Sequence, residues 1–464
     1  MSAQSIMPEP STVSAVSSAP ETAGRWLVFG MGKTGLSCAR FLAREGRSVR
    51  VIDTRATPPL RAEIEALPDV ECQAGEPNSA ILEDVDAVVV SPGIALNHPL
   101  IIAASQAGLP VFGDIELFAR VAPAPYVAVT GSNGKSTVTT LVAEIIAADR
   151  QRVKAGANLG TPALDLLDPP APAWYVLELS SFQLELTESL APAVACILNL
   201  SPDHLDRHGS FEAYRAAKAH ILTHAHAAVL SADDPAVASL APRDIPIRWV
   251  SLRGPRPGTY SIGLHEGQRY FMHGEEELFP AALLHLKGEH NEFNALAAIA
   301  VTDAIGVSRA AQRAVLASFE GLPHRCRLVL EQGGVAWFND SKGTNVGASA
   351  AAIAGIFGDR RGVLIAGGQG KGADFAPLRD AIVSRVHTVV LIGEDAPLIA
   401  AALGDAARIV HAPTLEAAVS EAKLAAQPGD AVLLSPACAS FDMFDSYEAR
   451  GRLFEAAVNE LAET

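Results

Sequence analysis

The sequence predicts an α/β protein made of three consecutive doubly wound domains. Three observations predict it. Its 464 residues suffice for about three domains of ordinary size. Short apolar runs alternate with amphipathic or alanine-rich stretches along the chain, the pattern of parallel strands joined by helices. Two glycine-rich turns, "GMGKTG" at 30–35 and "TGSNGKST" at 130–137, each stand between an apolar run and a helical stretch.

In chain order, residues 1–24 are rich in Ser, Pro and Ala, with no basic start and no apolar core, and read as a disordered tail rather than a signal peptide. "RWLVFGMGKTGLSCARFLAREG" reads as strand, glycine turn and helix, and "SVRVIDTR" and "DAVVVSPGI" add strands, so that residues 25–112 form the first domain. The second, 113–321, holds the strand, turn and helix of "YVAVTGSNGKSTVTTLVAEIIAA" and continues through "AWYVLELSSFQLE" and "AVACILNLSPDHLDRH" to the helical "GEHNEFNALAAIAVTDAIG". The third, 322–464, alternates "GVLIAGG", "HTVVLIG" and "DAVLLSP" with alanine-rich helices. Ligands of such sheets bind at strand carboxyl ends and between domains.

Composition narrows the function. A formal charge of −16 opposes binding to nucleic acid, while a small anion in a local pocket remains compatible with it. No apolar run reaches membrane-spanning length. Five cysteines (Cys38, Cys72, Cys196, Cys326, Cys438), none in a C-x-x-C pair, read as reduced thiols of a cytoplasmic protein and suggest neither a disulfide framework nor a zinc knuckle.

The turn at 130–137 has the chemistry a phosphate needs. Gly131 and Gly134 let backbone amides curl inward, Lys135 adds charge at a helix N-terminus, and Ser136 or Thr137 would face Mg2+. The generic phosphate-loop pattern wants a glycine where Val129 stands, so a glycine-capped corner with a solvated lysine is the competing reading. Glu178 ends an apolar strand, the place of a metal-binding or water-orienting acid in phosphate-loop enzymes, though a lone glutamate there also serves as a cap. "NLSPDHLDRH" gathers Asn199, Asp203, His204, Asp206, Arg207 and His208 behind a strand, and as a cluster they point to Mg2+ or Mn2+ beside phosphates. Lys218 in "YRAAK", taken alone, reads as a solvated helix lysine. In the third domain "HR" (324–325), "NDSKGTN" (339–345), "GGQGK" (367–371) and "SPACASFDMF" (435–444) fall at strand ends, and turn chemistry does not demand their Lys342 and Lys371. A rim of cations and hydroxyls suits an anionic substrate.

"GMGKTG", followed by Asp53 at the end of the next strand, satisfies the dinucleotide fingerprint and keeps an NAD(P)-dependent oxidoreductase as an alternative. The second phosphate loop argues against it. A non-catalytic, nucleotide-gated binding protein is the other alternative.

Together and in this order, "TGSNGKST", "ELSSFQ", "NLSPDHLDRH", "YRAAK", "GEHNEFNALAA", "LPHR" and "NDSKGTN" resemble the Mur ligases of peptidoglycan synthesis, from about Arg25 to the C-terminus. "DIELF", "ELSSFQLE", "GLPHR" and "SPACASFDMF" look most like the branch that adds D-glutamate, and the D-N-P-R segment of the diaminopimelate-adding branch is absent. The family's shortened G-x-x-G-K-[ST] loop makes Val129 regular.

The resemblance implies an ATP-dependent ligase that joins UDP-N-acetylmuramoyl-L-alanine and D-glutamate through an acyl phosphate. It implies a Rossmann-like UDP-binding domain, a central phosphate-loop ATPase domain and a Rossmann-like C-terminal domain. By likeness, Gly131, Ser132, Asn133, Gly134, Lys135, Ser136 and Thr137 hold the ATP phosphates, and Asn291, Asn294, Arg325 and Asp340 meet the rest of the nucleotide. Two Mg2+ sites are implied, one at Ser136 and Glu178 and one at His204 and a carbamylated Lys218; Lys135, Glu178, His204 and Lys218 carry the catalysis. The UDP substrate lies along Thr34, Thr54, Arg55, Gly93 and Asn158, and D-glutamate against Lys342, Thr344, Lys371, Ser440, Phe441 and Tyr447. Lys33 and Tyr447 stand where relatives carry an apolar residue and a phenylalanine. The implied partners are these small molecules, without nucleic acid or membrane, bound by a cytoplasmic monomer.

Overall fold

The computed structural model describes residues 24–286, 288–358 and 360–461, so residues 1–23 of the expected tail lie outside the described residues. Three sheets follow one another along the chain. The first contains β1 (Arg25–Phe29), β2 (Ser48–Asp53), β3 (Val70–Ala74), β4 (Val85–Val90) and β5 (Val111–Phe112), all parallel, in the order β3-β2-β1-β4-β5. The order reverses between β1 and β4, and there the turns that begin at Gly30 and Ser91 open a crevice. Gly35 is required by close packing: a Cβ there would stand 1.7 Å from the Gly30 carbonyl oxygen.

The central sheet contains β6 (Tyr126–Thr130), β7 (Val153–Ala157), β8 (Trp174–Glu178), β9 (Val194–Ile197), β10 (Ala228–Ser231), β11 (Ile247–Val250), β12 (Thr259–His265), β13 (Gln268–His273) and β14 (Glu276–Pro280). Its order is β14-β13-β12-β11-β10-β9-β6-β8-β7. The last three strands pair antiparallel, a meander that the expectation of a doubly wound domain does not contain. The "HEG" and "HGE" turns that reverse it join strands that end in polar residues, so little alternation marks them in sequence.

The third sheet contains β15 (Arg327–Gln332), β16 (Val335–Asn339), β17 (Gly362–Gly367), β18 (Val386–Ile392), β19 (Arg408–His411) and β20 (Ala431–Leu434), in the order β15-β16-β20-β17-β18-β19. Among the described strands of this sheet only β15 and β16 pair antiparallel.

Strand alternation assigns each face to its own core. In β6, Val127 and Val129 join the helices Lys135–Ala148, Glu289–Ala304 and Arg309–Ser318, while Tyr126 and Ala128 point to the opposite face. That opposite cluster also contains Trp26 and Val28 of β1 and Ile115, Leu117 and Phe118 of the helix Asp114–Val121. The first and central domains therefore share an apolar core. The third domain has its own two clusters, one on each face of its sheet, for example Leu364 and Ala366 against Val363 and Ile365. Among the described residues neither includes a side chain of the central domain. No helix of the described residues is long and apolar enough to cross a membrane.

Candidate active site

The site begins where β6 ends. Thr130 donates to the Leu179 carbonyl at 2.7 Å, and the chain turns through Gly131–Gly134 into the helix Lys135–Ala148. Gly134 has φ 84°, a left-handed conformation, and a Cβ there would meet Asn294 Oδ1 at 2.5 Å. Residues after β9 hold the loop in shape. Ser132 N donates to Asn199 O at 2.8 Å, Asn133 N donates to Asn199 Oδ1 at 2.8 Å, and Asn199 Nδ2 donates back to Asn133 O at 3.0 Å. The Lys135 ammonium donates to the Gly131 and Ser132 carbonyls, both at 2.9 Å, so it lies over the loop it serves. Burial lowers its pKa against the attraction of Glu178 and Asp203.

Glu178, at the end of β8, is 1% exposed. Asn158 donates to its Oε1, while its Oε2 is buried without a partner. Burial favours the acid, but Lys135, Ser136 and Asn158 outweigh it and hold the pKa below the usual carboxylate value. A buried, ionised oxygen with no donor, beside a serine hydroxyl and a phosphate-type loop, suits a hard cation such as Mg2+. Ser136 Oγ accepts from Arg325 Nη2 at 2.7 Å, a contact that brings the third domain onto the phosphate loop.

Of the "NLSPDHLDRH" cluster, Asp203 and His204 face the same cavity as Lys135. His204 is held at φ 53°, and burial lowers its pKa to about 4, leaving a neutral imidazole 3.7 Å from Asp203. Arg207 and His208 are engaged elsewhere. Arg207 pairs with Glu185 at 3.0 Å and lies over the Phe182 ring, and His208 contacts Ser181 at 2.9 Å and Glu185 at 3.2 Å. Among the described residues no three His, Cys, Asp or Glu side chains form a metal-type cluster, and part of this segment braces the loop and the neighbouring helices.

The reading of Lys218, taken alone, as a solvated lysine is corrected by its burial. It is 1% exposed, donates to Thr130 Oγ1 at 3.2 Å and lies over the Tyr214 ring at 4.9 Å. Burial, reinforced by Lys135, drives its pKa well below that of an ordinary lysine.

Three cavities that share lining residues receive the other singled-out residues. One, of about 790 Å3, is lined by Asn133, Gly134, Thr137, Asn291, Asn294, Arg325 and Asp340. Burial raises the Asp340 pKa to about 6 although Ser435 donates to its Oδ2 at 2.6 Å. The second, of about 470 Å3, joins Ser132, Lys135, Ser136, Glu178, His204 and Lys218 of the central domain to Thr344, Lys371, Ser440, Phe441 and Tyr447 of the third. Phe441 stands at its mouth, 72% exposed. The third, of about 810 Å3, opens at the β1–β4 crevice and is lined by Thr34, Thr54, Arg55, Gly93 and Asn158. Lys342 lines all three, with its ammonium 3.7 Å from the centre of the Tyr447 ring, and burial with Arg325 nearby lowers its pKa to about 8.

The sequence singled out Lys371, Asp203 and Asn133 for other roles and did not disclose that they join the domains here. Lys371 pairs with Asp203 at 2.9 Å, and Asn345 exchanges amide contacts with Asn133 at 3.2 and 3.4 Å. The signal for Asn345 was its place as N-cap of the helix Val346–Phe357.

Asp53, placed where a ribose-binding acid would stand, is already taken. It accepts from the Met31 and Arg55 amides and from Arg55 Nε and Nη2, at 2.7 to 2.9 Å. Burial would raise its pKa, but these donors hold it to about 2.

The chain matches three family profiles: "Mur ligase MurD-like, N-terminal domain" over residues 24–113, "Mur ligase middle domain" over 129–302, and "Mur ligase, glutamate ligase domain" over 324–438. It is 48% identical to the UDP-N-acetylmuramoylalanine–D-glutamate ligase of Nitrosococcus oceani over 443 residues, 95% of this chain and 98% of that one. It is 47% identical to the ligase of the same name from Pseudomonas fluorescens, over 94% of this chain and 98% of that one. Among solved structures it is similar in fold to a pseudomurein peptide ligase type C from Methanothermus fervidus (TM-score 0.61, 17% identity, 94% of this chain and 100% of that one). The UDP-N-acetylmuramate-alanine ligase of Thermotoga maritima is similar too (TM-score 0.60, 19% identity, 94% and 99%).

Proposed function

Because this chain belongs to the Mur ligase family, we propose that it joins D-glutamate to UDP-N-acetylmuramoyl-L-alanine with cleavage of ATP, a step of peptidoglycan precursor synthesis. The observation that carries this reading is the 48% identity to a curated D-glutamate ligase over 95% of the chain. The oxidoreductase alternative has no support, and the engagement of Asp53 by Arg55 speaks against a nucleotide ribose there.

The three cavities support a division of labour. The UDP substrate enters at the β1–β4 crevice, ATP lies over the phosphate loop toward Asn291 and Asn294, and D-glutamate arrives from the third domain. The L-alanine carboxylate of the substrate attacks the γ-phosphorus of ATP; ADP departs and an acyl phosphate remains. Two anions must approach, and Lys135, Arg325 and Lys342 supply the fixed positive charge that lowers their repulsion. Ser136 with Glu178, and His204 with a carbamate on Lys218, would hold Mg2+, which supplies further charge neutralisation at the phosphates. The buried, readily neutral Lys218 amine is the form that CO2 requires for carbamylation. The D-glutamate amine, after losing a proton, attacks the acyl carbon, and the tetrahedral intermediate collapses to an amide with release of phosphate. Lys371, Lys342, Thr344 and Ser440 offer partners for the two carboxylates of the acceptor. The closed third domain keeps water from the acyl phosphate. The small molecules named here are the partners of a cytoplasmic enzyme that acts as a monomer.

The test is phosphate release from ATP with UDP-N-acetylmuramoyl-L-alanine and a panel of D- and L-amino acids. Release with D-glutamate far above D-alanine or L-lysine is expected. Equal rates across the panel would refute the acceptor assignment, and ATP binding without release under any condition would favour the nucleotide-gated binding protein.

A further inference from the structure

Arg450 is 0% exposed, and among the described residues no carboxylate forms an ion pair with it. A buried guanidinium without an acid is costly unless its donors are satisfied in another way. Here they are satisfied by two strand-end loops. Nε donates to Ser341 Oγ at 3.0 Å and Nη2 to the Ser341 carbonyl at 2.9 Å. Nη1 and Nη2 both donate to the Cys438 carbonyl at 3.2 Å, and Nη1 to that of Ala439 at 3.3 Å. A third loop packs against the same group: a Cβ on Gly368 would come within 3.4 Å of Arg450 Nη1 and 2.3 Å of the Ala439 carbonyl oxygen. Gln369 and Ala439 exchange backbone hydrogen bonds at 3.1 and 2.8 Å. The helix that carries Arg450, Tyr447–Glu460, begins at Tyr447, whose carbonyl accepts from Ser341 Oγ at 2.8 Å.

These four elements supply every residue proposed to receive the amino acid: Lys342 and Thr344, Lys371, Ser440 and Phe441, and Tyr447. We propose that Arg450 is the positioning residue of the amino-acid site, a rigid fork that sets the mutual spacing of the four elements and thereby the spacing at which two carboxylates are read. Arginine suits this role better than lysine because its planar fork can direct several donors at once to fixed carbonyls. Although burial lowers its pKa to about 10, the group remains a cation at neutral pH, and its charge adds to the pull on a dianionic acceptor. The inference rests on the reading of this chain as a D-glutamate ligase.

The test is steady-state kinetics of Arg450→Met, Arg450→Lys and Ser341→Ala, with folding checked by thermal melting. A wild-type enzyme that does not use D-glutamate would overturn the proposed function rather than the role of Arg450, since the same three variants can then be read against whichever amino acid it does use. The expected result is a rise in the D-glutamate KM of tenfold or more for Arg450→Met and of a few fold for Ser341→Ala, with the KM values for ATP and the UDP substrate within twofold of wild type. Arg450→Lys is expected between wild type and Arg450→Met, because it keeps the charge and loses the fork. If Arg450→Met does not fold, the comparison of Arg450→Lys and Ser341→Ala with wild type carries the test. An unchanged D-glutamate KM in the folded variants, or a parallel rise in all three KM values, would overturn the proposal.

Discussion

Lys218 shows how one residue changes meaning with its surroundings. It lies on the helix Phe211–Ala219 together with Tyr214 and Ala217 on the buried side, so its ammonium enters a low-dielectric space below the phosphate loop. An unpaired charge there is unfavourable, and its nearest polar partner is only the Thr130 hydroxyl. Conversion to a carbamate would replace an amine that repels Lys135 whenever it is protonated by an anion that attracts it. Lys218→Ala is therefore expected to lose most of the phosphate release, and formate, which can occupy the vacated anion position, is expected to restore part of it. Wild-type rates in the variant, or no response to formate, would leave Lys218 a purely structural residue. In sequence it reads as a solvated lysine, because five residues of "YRAAK" do not disclose which side of their helix the central sheet will cover.

At the scale of elements, the helix Asp114–Val121 is the join between the first two domains, and its first turn carries an acid with a raised pKa. Asp114 is 2% exposed, Gln183 donates to its Oδ2 at 3.2 Å, and its Oδ1 is buried without a partner. Burial raises its pKa to about 6, and the hydrogen bonds from Gln183 and the backbone only partly oppose this. The folded state therefore holds the proton more tightly than the unfolded chain. The stabilisation this gives is fully present below about pH 4 and is lost as pH rises through about 6, a swing on the order of 3 kcal/mol. Asp114→Asn abolishes the titration, so its melting temperature relative to wild type should increase steadily between pH 4 and pH 7. Parallel melting curves for the two proteins over that range would rule the explanation out. In sequence "DIELF" stood only as a motif of the resemblance; the raised pKa was not legible there, since it comes from burial in the shared core, against the opposing hydrogen bond from Gln183.

At the scale of the whole molecule, the two domain junctions differ in kind. The first and central domains are joined through apolar packing, with Trp26 and Val28 of β1 in one cluster with Phe118, Tyr126 and Tyr175, and should behave as one body. The third meets the loop through Arg325 and Ser136, Lys371 and Asp203, and Asn345 and Asn133. Such polar contacts exchange readily with water, which suits a domain that must open to admit and release substrates. Asn345→Ser keeps a side-chain oxygen to cap its helix but is too short to reach Asn133, so it separates the latch from the cap. Its melting temperature should be close to wild type, while small-angle scattering without ligands should show a larger radius of gyration. An unchanged scattering profile would mean that closure does not depend on this contact.

The sequence by itself determined the three α/β domains, the phosphate loop with its helix, and the residue types at the strand ends. These depend on local periodicity, on turns that demand glycine, and on short motifs whose parts are close in the chain. Tertiary structure alone decided that Lys218 is buried, that Arg207 and His208 brace a neighbouring segment, and that Asn345 reaches Asn133 across 212 positions of sequence. The physical reason is the same in each case. Burial, electrostatic environment and hydrogen-bond partners belong to residues that folding brings together from distant parts of the chain, and no short window of sequence contains both members of such a pair.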